Sequence, residues 1–181
     1  MTVYIALLRG INVGGHKRIR MDDLKRVFEQ SGLRRVQTYI QSGNVLFESD
    51  EAEEPLRLGI EREIEAAFGF PVDTALRTAE ELASILARSP FKEAAASEPD
   101  HLHLGLSSRE LSPETADRLA PYRSGEEDFR VEGREIYLWL PHGVHSSKLA
   151  SRMQKLDTPV TVRNWNTAKR LAELAAAMSN G

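Results

Sequence analysis

The order in which apolar patterns occur constrains this chain more than any single motif in it. The patterning predicts a strand over Val3–Leu8, an amphipathic helix over Met21–Ser31, and strands over Val36–Gln41 and Val45–Glu48 joined by Ser42-Gly43-Asn44. A helix is expected over Glu53–Phe68, where Leu56, Ile60, Ile64 and Phe68 recur four apart, then a strand over Val72–Arg77. A further helix enters at Thr78, since Thr78 and Glu81 have capping-box spacing. Ser89–Pro99, rich in Ala, Pro, Ser and Glu, reads as a linker, and beyond it the same order returns. Strands are expected over Leu102–Leu106, Phe129–Val131, Ile136–Leu140 and Val160–Arg163, and helices over Pro113–Leu119, Ser147–Leu156 and Thr167–Met178. The expected fold is therefore α+β: a tandem pair of ferredoxin-like, split-βαβ subdomains, each with an extra helix, over residues 1–90 and 100–181.

At 181 residues and 41% apolar composition, the chain carries enough hydrophobic side chains for such cores. No apolar run approaches the ~20 residues of a membrane-spanning helix, and the N-terminus lacks a secretory signal pattern, so a cytoplasmic location away from membranes is expected. The absence of cysteine excludes disulfides, thiol nucleophiles and thiolate metal sites. Charge is unevenly placed. Residues 1–44 carry eight Lys/Arg against three Asp/Glu, whereas residues 45–100 carry five against fourteen. A basic first segment suits phosphate; the plainer alternative is that opposite patches face each other or keep the protein in solution.

Four segments in order, LLRGINVGG at Leu7–Gly15, YIQSGNVLF at Tyr39–Phe47, SKL at Ser147–Leu149 and TVRNWNT at Thr161–Thr167, resemble the bacterial family called domain of unknown function 1697. The resemblance implies paired α+β subdomains and no established activity, and it carries over no catalytic residues.

A split-βαβ sheet has strand order 4-1-3-2, so the end of its first strand, its central hairpin and the start of its fourth strand share one edge. In the first half that edge collects Arg9, Asn12, Gly14, Gly15 and Lys17 with Ser42, Gly43 and Asn44. Cations, short polar side chains and a glycine-bearing turn before a helix are suited to a small anionic ligand, a nucleotide or a phosphate-bearing metabolite. The turn matches neither the dinucleotide fingerprint nor the phosphate loop in full, and the same residues could instead serve their own loops, with Arg9 paired to an acid.

In the second half the opposite edge gathers Asp100, His101, His103, His142 and His145 with Ser147, Lys148, Arg163, Asn164 and Trp165. His101 and His103, two apart on a strand, would share a face, but ordinary placement of the histidines is the better reading and no metal is assigned. Ser147 is expected to cap one helix and Asn164 or Asn166 the closing one, and Trp165 to be buried where the subdomains join, with Arg163 in a charge-assisted bond across the edge. Alternation along the strands predicts Leu102, Leu104, Leu106, Ile136, Leu138 and Leu140 facing the helices, which leaves His103, Phe129, Tyr137 and Trp139 on the other face. An open aromatic face would stack single-stranded RNA, the rival function; covering of that face by the other sheet, or by a second copy of the chain in a homodimer, is the alternative. No nucleophile elbow, paired-carboxylate site or complete metal motif is present, and no cofactor is indicated. Whether the protein is an enzyme is left open; phosphoryl or nucleotidyl transfer assisted by Lys148 and Arg163 is the chemistry such a reading would take.

Overall fold

A computed structural model describes residues 1–181. The first sheet is formed by β1 (Thr2–Leu8), β2 (Arg34–Tyr39), β3 (Asn44–Ser49) and β4 (Thr74–Thr78) in the order β2-β3-β1-β4, with all neighbours antiparallel. Helices α1 (Met21–Gln30) and α2 (Glu53–Phe68) cover one face, and α3 (Ala79–Ala87) follows β4. The core between helices and sheet joins Tyr4, Ala6, Leu8, Val45, Phe47 and Leu76 to Leu24, Phe28, Leu56, Ile60 and Ile64. The other face of β1 carries Val3, Ile5 and Leu7, also buried, so β1 reads as a continuous apolar run. The capping box that opens α3 is made from both sides: Glu81 N donates to Thr78 Oγ1 at 3.1 Å and Thr78 N to Glu81 Oε1 at 3.3 Å.

The second sheet repeats the arrangement. Strands β5 (Leu102–Ser107), β6 (Asp128–Glu132), β7 (Glu135–Trp139) and β8 (Val160–Asn164) lie in the order β6-β7-β5-β8, with α5 (Thr115–Leu119), α6 (Lys148–Met153) and α7 (Trp165–Ser179) in between and after. The protein is a tandem pair of ferredoxin-like α+β subdomains. The chain forms two compact units, Met1–Ala83 with Arg170–Gly181, and Ser84–Lys169, so the division falls inside α3 and again inside α7.

Three local expectations are corrected. Ser89–Pro99 contains a short helix, α4 (Lys92–Ser97), and a 3-10 turn begins at Pro99; the alanines that made the stretch look like a linker are good helix formers. The helix expected over Pro113–Leu119 begins only at Thr115, and the one expected over Ser147–Leu156 ends at Met153. The face assignment of β5 is inverted. Gly105 is the β5 residue against the helices, since a Cβ there would meet Val160 Cγ1 at 2.9 Å and Met153 Sδ at 3.4 Å. In the pairing with β7, Gly105 lies opposite Ile136 and His103 opposite Leu138, both in the helix-side core; Leu104 lies opposite Tyr137 on the far face. Phe129, opposite Leu138, also packs with the helix-side core. Leu102, Leu104, Leu106 and Tyr137 are nevertheless fully buried, so the far face of this sheet is not an open aromatic platform.

Candidate functional site

The residues between β1 and α1 fold into a small clip. Asn12 N donates to Lys17 O at 3.1 Å and His16 N to Val13 O at 3.0 Å, with Gly14 and Gly15 at the tip, both at positive φ as a two-residue reversal requires. The Asn12 side chain fixes this clip to its surroundings. Its Nδ2 donates to Ile19 O at 3.0 Å and to Gln41 O at 2.8 Å, and its Oδ1 accepts from Ile19 N at 2.8 Å. Leu8 N donates to Gly43 O at 2.9 Å, which ties the end of β1 to the β2–β3 turn. Gly43 has φ +88°, and a Cβ on it would sit 2.7 Å from Ile11 Cδ1 and 2.9 Å from Leu8 Cβ, so only glycine fits.

The backbone at this edge is unusual. Four non-glycine residues in the chain have positive φ, and three of them, Asn12 (φ 56°), Lys17 (φ 49°) and Ile40 (φ 49°), lie in these two loops. For a β-branched residue such as Ile40 that conformation is costly, and clustered strain of this kind marks places where the fold holds a surface in one shape. Val13 and Ile40 are also among the most exposed large apolar residues, 65% and 48% exposed.

The expected site residues are brought together, in different roles. Arg9 lies 3.7 Å from Asp73, and Lys17 Nζ donates to Pro71 O at 3.1 Å, so both cations turn toward the segment that leads into β4. Asn44 is fully buried, its Nδ2 donating to Tyr39 O and Ser42 Oγ, each at 2.9 Å. The open space lies beside them. A cavity of about 650 Å³ is lined by Asn12, Gly15, Arg18, Arg20, Asp22 and Gln41 among others, within the size range of small-molecule sites. Arg18 and Arg20 are exposed and make no ion pair. Arg20 is also the N-cap position of α1, which no side chain caps. Neither arginine was singled out by the sequence pattern, although both follow directly on the glycine turn.

The second candidate edge is largely built into the fold. Ser147 Oγ accepts from Ala150 N at 3.1 Å at the start of α6, and Asn164 Oδ1 accepts from Thr167 N at 2.9 Å at the start of α7. Both caps are as expected. Trp165 is 4% exposed, with its ring 6.5 Å from that of Tyr137, whose hydroxyl donates to Ile85 O at 2.7 Å. Burial pushes the Tyr137 phenol up to about 12. Arg163 is 6% exposed, and its Nη1 donates to Thr161 Oγ1 at 2.8 Å and Val162 O at 2.9 Å; burial lowers its pKa to about 10. It stands opposite Leu104 as Arg77, fully buried, stands opposite Ile5, so each unit places an arginine at the same point of its fourth strand. Lys148 is exposed.

The histidines separate rather than gather. His101 packs edge-on to Trp139 with centroids 5.6 Å apart, while His103 is buried on the helix side, its Nδ1 without a hydrogen-bond partner and its pKa lowered by burial. His142 and His145 are exposed, and no group of three His, Asp or Glu side chains is arranged to hold a metal ion.

The family model described as "Protein of unknown function (DUF1697)" matches residues 1–137. The chain belongs to this family. A solved structure, that of the conserved bacterial protein SP0830 from Streptococcus pneumoniae, superposes with a TM-score of 0.78 at 21% identity over 96% of this chain and 98% of that one. At that identity the likeness of this DUF1697 protein to SP0830 is a likeness of fold. No curated protein matches the sequence. No helix is long and apolar enough to cross a membrane.

Proposed function

We propose that the protein binds a small anionic ligand, a nucleotide or phosphate-bearing metabolite, in the cavity between the Asn12–Lys17 clip and the start of α1. The observation that carries this reading is the two unpaired guanidinium groups of Arg18 and Arg20 on a cavity of about 650 Å³ whose rim is fixed by strained backbone and by the three hydrogen bonds of Asn12. A guanidinium offers a phosphate two parallel donors, and the uncapped first turn of α1 adds backbone N–H groups and the positive end of its dipole. Asp22, also on the cavity, disfavours a high density of negative charge close to it and suits a ligand whose phosphate sits toward the arginines.

Thermal shift and calorimetry with inorganic phosphate, sulfate and a panel of nucleotides test the reading. A phosphate compound should stabilise the protein by mass action, and Arg18→Ala and Arg20→Ala should each weaken binding about tenfold, the loss expected for one charge-assisted contact. Failure of every phosphate compound to bind, or binding that survives the double variant unchanged, overturns it.

A further inference from the structure

The stretch that resembled a linker forms the wall of a second cavity, inside the second unit. Ser89 Oγ accepts from Phe91 N at 3.1 Å and Phe91 O from Ala95 N at 2.9 Å, which fixes Pro90 and Phe91 at the head of α4. Across from them are the beginning of β6 and the end of β7, where Asp128 and Trp139 are register partners. Together they border an open cavity of about 640 Å³, with Pro90, Phe91 and the partly exposed Trp139 as apolar walls and Glu93, Glu126 and Asp128 as carboxylates; Lys92 is the one cation on the lining.

The state of these groups narrows the chemistry. Asp128 is already engaged, with Arg123 Nη1 at 3.1 Å and Phe129 N at 2.9 Å. Glu93 and Glu126 have no ion pair or side-chain hydrogen bond, and the indole N–H of Trp139 has no acceptor. An aromatic face beside unspent carboxylates attracts an organic cation, because the ring quadrupole and the carboxylates favour the same charge while the apolar wall takes the alkyl part. An anion would meet repulsion from two free carboxylates, and a neutral alkane would gain only the wall.

We infer that this cavity binds the cationic end of an alkylamine or guanidine, with its charge against Trp139 and with Glu93 and Glu126 as counter-charges. Free polyamines and the side chain of a lysine or arginine residue both present that chemistry.

The experiment uses the full chain at a pH above the imidazole range. Tryptophan fluorescence and calorimetry follow titration with butylamine, tetramethylammonium and agmatine, with butanol and butyrate as neutral and anionic controls. The cations should bind saturably and more weakly as salt is raised, and the controls should not bind. Trp139→Ala should weaken binding about tenfold and Trp139→Phe much less, since the phenyl ring keeps a quadrupole. Glu93→Gln with Glu126→Gln should weaken it several-fold with an unchanged melting temperature, which keeps the test decisive if Trp139→Ala fails to fold. Butanol binding as well as butylamine, indifference of affinity to the double Gln variant, or no saturable binding by any cation overturns the assignment. Spermidine binding more tightly than N-acetyl-lysine amide places the natural ligand among free amines, and the reverse order places it on a peptide; either result presupposes the site.

Discussion

The segments that leave β1 and β5 occupy the same place in two copies of one topology and are built differently. Each strand ends with the same bond: Leu8 N donates to Gly43 O in the first unit and Ser107 N to Arg134 O in the second, both at 2.9 Å. After it, Arg9–Arg20 runs through a reversal, two strained non-glycine residues and an asparagine clip before α1 begins. Ser108–Glu114 instead returns directly, with Leu111 N donating to Gly133 O at 3.0 Å, and enters the short α5. One edge spends conformational energy to hold two arginines on an open cavity. The other is held by ordinary turn and cap geometry. Duplication of a topology therefore does not duplicate its surface, because strand order fixes where loops meet and their own sequences fix what they present.

The hairpin glycines should break the symmetry most sharply. Gly43→Ala should cost ~2–5 kcal/mol in chemical denaturation, combining positive-φ strain with a clash against Ile11 and Leu8. Gly133→Ala should cost only ~1 kcal/mol, since its φ is positive (+59°) but nothing lies closer than Glu110 Oε1 at 4.0 Å. Equal losses would show that the first edge is no more tightly fitted than the second. Next, Asn12→Ala removes three hydrogen bonds and should cost ~2 kcal/mol while also weakening any phosphate binding at the cavity. In the second unit, Ser147→Ala and Asn164→Ala each remove one cap and should lower stability by ~1 kcal/mol.

The smallest effect concerns acid. His103 is buried with its folded-state pKa held below the ordinary 6.5, so the unfolded chain takes up the proton first as pH falls. Its contribution is fully present above pH 6.5 and is lost as pH drops from there through the lowered folded value. Melting temperature measured across that window should decline, and His103→Leu should flatten the decline; identical profiles would remove His103 from the account.

Much of this architecture was legible in the chain. Glu53–Phe68 forms α2 with those same ends because Leu56, Ile60 and Ile64 define one buried stripe and Gly69 closes it in the left-handed conformation. The strand order followed from the repeated element order. The facing of β5 did not, for a physical reason: the leucines at 102, 104 and 106 alternate with His103, Gly105 and Ser107, but the strand is buried on both sides, so alternation did not say which face meets the helices, and the polar and small set in fact does. At the first edge the turn was legible but the cations that line the cavity were not. Positive φ at Asn12 and Lys17 reverses the chain and sends Arg9 and Lys17 to one side and Arg18 and Arg20 to the other, a choice that spacing alone does not encode.

The membership of Arg170–Gly181 in the first unit has a consequence in time. Arg35 Nη1 donates to Met178 O at 2.9 Å, so β2 draws one of its fixed contacts from the last helix of the sequence. On a ribosome, Met1–Ala83 emerges first but lacks Arg170–Gly181 until that segment has been made, whereas Ser84–Lys169 is contiguous. The half made second is the half that can mature first, and a released fragment ending at Lys169 should show protease protection over Ser84–Lys169 that exceeds that over Met1–Ala83.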